Sequence, residues 1–124
     1  LVLAALTGAA AAVLGAFLHA ATVVVGDAVL PVGLVPAVAL VIAAGVLALR
    51  HSGPAGAWAS ATGWLAMVMA LTWPRAAGDI VIPGTWYGYA FMGLGLLAAL
   101  GLVGRAWWRE LPTRTTTAEP SSVR

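Results

Sequence analysis

The chain has 124 residues, 62% hydrophobic and only 8% charged, with a mean hydropathy of +1.00; a soluble domain is roughly 45–50% apolar and about 25% charged. This composition excludes a soluble globule and excludes disorder over most of the length, and the absence of cysteine removes disulfides, thiolate nucleophiles and Cys metal sites. Six basic residues, all arginine, against four acids leave a net charge of +2, too little for a nucleic-acid footprint.

A helix that crosses a bilayer needs about 20 mainly apolar residues. The first such run covers 1–25, with Thr7, His19 and Thr22 as its polar side chains. Gly26, Asp27 and Pro31 mark a turn. The second run covers 32–49 and stops at Arg50-His51-Ser52-Gly53-Pro54. The third, 57–73, ends at Pro74-Arg75, and a longer connection through Gly78, Asp79 and Pro83 leads to the fourth, 85–104. Residues 105–124 form a polar, low-complexity tail that is expected to be disordered and cytoplasmic. Short connections force antiparallel neighbours. The predicted fold is therefore all-α: an integral membrane four-helix up-down-up-down bundle over 1–104, with both termini cytoplasmic. Continuous apolar runs, not ten-residue alternations, exclude a β-barrel.

Sidedness follows from the arginines. The second connection and the tail share one side and carry Arg50, Arg105, Arg109, Arg114 and Arg124; the opposite side carries Arg75 alone. The positive-inside rule puts the termini in the cytoplasm, and the expected location is the cell membrane, as a multi-pass protein. Trp58, Trp73, Trp86, Trp107 and Trp108 fall at predicted span ends, where amphipathic rings anchor at the interface. Trp64 lies inside the third span.

His19 is the one strongly ionisable side chain deep in a predicted span, about 9 Å below its outer end at 1.5 Å per residue. Intramembrane ionisable groups are candidate functional sites; the plainer reading is a neutral imidazole bonded within the bundle. His51 falls at the opposite face, so the two histidines cannot bracket one haem iron. All four acids lie in connections or the tail, which disfavours a carboxylate-coupled proton exporter of this size. No Ser-His-Asp set, carboxylate pair or metal-ligand cluster is present, so neither catalysis nor a cofactor is expected. Gly84-x-x-x-Gly88 opens the fourth span, and small residues four apart let helix backbones approach closely; it is either internal packing or a face for a partner. Arg75 and Asp79 form a candidate ion pair on the outer side, next to the apolar Ile80-Val81-Ile82.

Gly63-Trp64-Leu65, Leu71-Thr72, Pro74-Arg75, Gly78-Asp79 and Gly88-Tyr89 together resemble a pattern in an uncharacterised family of small actinobacterial membrane proteins, catalogued as domain of unknown function 6113. The resemblance covers mainly residues 60–100. Ala76-Ala77 stand where that family often has a Pro-Glu pair. The resemblance implies four spans and an actinobacterial membrane, and no activity.

The expected function is thus non-catalytic: a small accessory subunit that packs against a larger membrane assembly, with the lipid bilayer and other membrane subunits as partners. The alternative is a homo-oligomeric transporter or channel with His19 in the path. A weaker one is a lipid- or quinone-binding protein near His19 and Trp86.

Overall fold

The computed structural model describes residues 1–74, 82 and 84–110. Its elements are α1 (Val2–Leu18), β1 (Val23–Val25), β2 (Ala28–Leu30), α2 (Leu34–Thr72) and α3 (Trp86–Glu110). Two of them, α2 and α3, are long and apolar enough to cross a membrane.

The expected four-helix bundle is overturned: the described residues form three helices. The predicted first span is shorter than 1–25, because α1 stops at Leu18 with His19 as its C-cap. Beyond it, Val23–Val25 pairs antiparallel with Ala28–Leu30, Val25 facing Ala28 across Gly26-Asp27. Gly26 has φ 60° and no non-glycine residue has positive φ among the described residues, the pattern of a type II′ hairpin turn with glycine first. Three consecutive β-branched valines prefer this extended backbone to another helical turn.

The predicted second and third spans are one 39-residue element, α2. Helix continues through Arg50, His51 and Ser52, with the His51 ring Nδ1–H donating to the Leu47 carbonyl at 3.1 Å. Continuity fails at Gly53 alone (φ 62°, ψ −158°). Glycine reaches this conformation at no Cβ cost, and the residue before a proline is driven out of the α region. Pro54 then opens the second arm, where its missing N–H costs nothing. The arms lie side by side next to the bend: a Cβ on Gly56 would collide with the Ala48 carbonyl. One residue thus does the work expected of a five-residue connection.

Both other helices pack on α2. A Cβ on Gly8 would strike the Ser60 backbone and one on Gly63 the Ala5 backbone, so α1 meets the second arm backbone to backbone. The predicted fourth span begins at Trp86 and continues past 104 to Glu110, which makes Arg105 and Arg109 helical. Residues 111–124 of the predicted tail lie outside the described residues.

The packing is inverted in size. Buried positions are mostly alanine and glycine, with Trp64 and Phe91 the largest. Leucine, valine and phenylalanine cover the outside: Phe17 and Leu97 are each 67% exposed. Ile82 of the predicted apolar connection is buried in the core with Ala12, Ala16, Ala37, Val68 and Phe91.

Candidate functional site

The chain places its most unusual polar group where α1 ends. The His19 backbone N–H still donates to the Gly15 carbonyl at 2.9 Å, which keeps the side chain on the inner face of the last turn. The ring is 0% exposed. Its Nδ1–H donates to the same carbonyl at 3.2 Å; a carbonyl only accepts, so this bond fixes the tautomer and leaves a lone pair on Nε2. That Nε2 is buried without a hydrogen-bond partner among the described residues. Phe91 stacks on the imidazole (centroids 5.0 Å apart, planes at 15°), and Tyr87 leans on it at 6.2 Å.

Phe91 in turn meets Trp64 edge-on at 6.0 Å. Trp64 Nε1 is the other buried side-chain atom without a partner among the described residues. Both rings occupy glycine notches. A Cβ on Gly15 would lie 2.8 Å from two Phe91 ring carbons, and one on Gly95 would overlap the Trp64 ring. The chain Gly15, Phe91, Trp64, Gly95 thus ties α1, α3 and the second arm of α2 into one unit. The cavity beside Trp64, lined also by Gly8, Val41, Gly45 and Ser60, has a volume of about 10 Å³, room for about one water.

Chemically, the His19 site offers one ring nitrogen, Nε2, walled by aromatic rings. It can accept one hydrogen bond or supply one ligand. Among the described residues no group of three His, Cys, Asp or Glu side chains converges to hold a metal ion. His51 is exposed and lines a separate hollow with Leu3, Thr7 and Leu47, at the end where α1 begins and α2 bends. The two histidines therefore sit at opposite ends of the helices.

The remaining candidates are dispersed. Arg75 and Asp79 lie outside the described residues. Gly88 is buried on the inner face of α3, its N–H donating to the Thr85 hydroxyl at 3.4 Å, whereas Gly84 is exposed beside the Tyr89 hydroxyl. The two do not share an outward face. Trp58, Trp107 and Trp108 line one hollow; Trp73 and Trp86 are exposed near the His19 end. One grouping escaped the sequence reading: Arg50, Arg105 and Arg109 line a common hollow. The four-residue spacing of Arg105 and Arg109 puts both on one helix face, but Arg50 joins them only through the α2 bend.

No family model, curated protein or solved structure matches this chain. The resemblance of residues 60–100 to domain of unknown function 6113 rests on the residues quoted above alone.

Proposed function

We propose that this chain is a small, non-catalytic, multi-pass protein of the plasma membrane, an accessory subunit whose helices pack against those of a larger membrane assembly. The size inversion supports the membrane part of this reading. Large side chains gain nothing by turning inward when the surroundings are as apolar as they are, whereas small residues inside let helices approach closely.

The observation that carries the subunit part is the outer face of α3. A Cβ on Gly93, Gly101 or Gly104 would have no neighbour within 4 Å among the described residues. At 100° per residue they share that face with the exposed Leu97 and Leu100, opposite the buried Phe91, Gly95 and Ala99. Glycines with open space above them form a trough that fits a transmembrane helix of another subunit. His19 lines none of the cavities described above, so no specific observation favours the transporter alternative.

The test is co-purification in mild detergent with a tagged chain. A stoichiometric membrane partner is expected with the natural sequence. The Gly93→Leu/Gly101→Leu variant fills the trough and should lose that partner while keeping its own thermal stability, because no described residue lies there. A natural chain that purifies as a monomer, or only with copies of itself, refutes the subunit reading.

A further inference from the structure

The hollow shared by the α2 bend and the α3 C-terminus has a volume of about 550 Å³. Arg50 and Pro54 flank the bend on one side; Arg105, Arg109 and Glu110 face them from α3. Three arginines therefore line one hollow, with Glu110 the single acidic residue among its described lining. The deeper wall is apolar, formed by Val46, Leu49, Leu102 and Ala106. Arginines at helix C-termini also complement the helix dipole, as Arg109 does in the last turn of α3, but that role does not require arginines from two elements to line the same hollow.

From this geometry we infer a binding site for one anionic phospholipid, its phosphate held by Arg50, Arg105 and Arg109 and its acyl chain laid against Leu49 and Leu102. Planar guanidinium forks bind phosphate oxygens in pairs and are weakly hydrated, which suits them to a partly dry interface. The apolar wall below the cations selects a lipid over a free phosphate, because a free ion has nothing to place there. The site rests on the membrane reading above and deepens it: the α2 bend and the end of α3 face the anionic leaflet.

Each arginine near an anionic surface contributes about five-fold in affinity. With Glu110 offsetting one of the three, the expected preference for an anionic over a zwitterionic lipid is about thirty-fold. The test uses the full chain, freed of lipid in a mild detergent, with bound lipid counted by native mass spectrometry. The probes are phosphatidylglycerol, phosphatidylcholine of the same acyl chains, and inorganic phosphate.

One phosphatidylglycerol per chain is expected, at that preference. Arg105→Gln should lower it about five-fold, and Arg50→Gln/Arg105→Gln/Arg109→Gln should bring it below about three-fold with helicity unchanged. The equally discharged Arg75→Gln/Arg114→Gln/Arg124→Gln should keep it. Equal uptake of both lipids by the natural chain overturns the site, and so does equal loss in the two triple variants, which would assign the preference to net charge. Displacement of the lipid by millimolar inorganic phosphate would show a free-phosphate site and overturn the lipid assignment. Failure of the membrane reading itself is distinct: the chain would then stay in solution without detergent and take up neither lipid.

Discussion

Gly95→Ala adds one methyl group at the place where α3 meets the second arm of α2. The new carbon would lie 2.8 Å from Trp64 Cη2 and 3.1 Å from Cε2, with Cζ2 closer still, whereas carbon pairs prefer about 3.5–4.0 Å. The indole has little freedom to retreat. It is 2% exposed and meets Phe91 edge-on, and Phe91 is itself seated against Gly15. Overpacking costs about 1–3 kcal/mol, and overlap with three ring atoms puts this site near the upper end. Alanine returns about 1 kcal/mol through helix propensity, so the net loss is about 2 kcal/mol. Trp64→Leu removes the ring atoms in question. In that background Gly95→Ala should become stabilising by about 1 kcal/mol, a coupling of about 3 kcal/mol between the two positions. The assay is unfolding in mixed micelles by increasing fractions of a denaturing detergent, followed by far-UV circular dichroism for the four members of the cycle. Effects that add within about 0.5 kcal/mol, as independent sites do, would refute the notch-and-ring account of this contact.

Gly53→Ala should cost about 1–3 kcal/mol in the same assay, since φ 62° with ψ −158° is a backbone conformation essentially reserved to glycine; an unchanged midpoint would show that the bend tolerates a side chain. His19→Leu should stay within about 1 kcal/mol of the natural protein, because it gives up one 3.2 Å bond of a kind that averages about 0.6 kcal/mol in membranes and removes a buried nitrogen that has no partner among the described residues. His19→Ala should cost about 2–3 kcal/mol through the void left beneath Phe91; equal effects of the two His19 variants would contradict the packing role. Single cysteines placed in this cysteine-free chain report sidedness: in intact cells an impermeant thiol reagent should label Asp27→Cys in the hairpin turn and spare Ser52→Cys at the α2 bend, and the reverse pattern would invert the orientation.

How much of this was legible in the sequence varies by element. The apolar runs began close to where α3 and both arms of α2 begin, because a stretch without charges leaves few other choices, but the last run stopped at 104, short of Glu110 where α3 ends. The break near Gly53-Pro54 was visible, but its compactness was not: one positive φ turns the chain, and composition does not reveal a dihedral angle. The hairpin was readable and passed over, since Val-Val-Val and Ala-Val-Leu separated by Gly-Asp are two strand-like runs around a two-residue turn. What misled was the apolar tally, which counts valine alike in a helix and in a strand. The inward turn of Gly88 was not legible. A helix apolar all round has no amphipathic phase, and α3 is fixed in rotation by the Gly95 and Phe91 contacts with other elements. The convergence of Arg50 with Arg105 and Arg109 was hidden for a related reason: it is created by the bend, and the sequence reading used those residues only to assign a side.

The two-stranded hairpin has a mechanical consequence. Among the described residues its sheet has no third strand, so no described strand pairs with the outer edges of Val23–Val25 and Ala28–Leu30, and the side chains of both strands are exposed. Free edges are not tolerated in hydrocarbon, where each unsatisfied group costs several kcal/mol, yet the valines resist leaving it for bulk water. In a bilayer the hairpin is confined to the headgroup layer, as a float is confined to a water line. Arginines at the other end reach the interface from a range of depths by extending their side chains and so fix height poorly. On the membrane reading proposed above, the hairpin, tied directly to α1 and α2, sets the vertical registry of the molecule. On that reading a piston-like slide of α1 by one helical turn would submerge its edges or strand its valines.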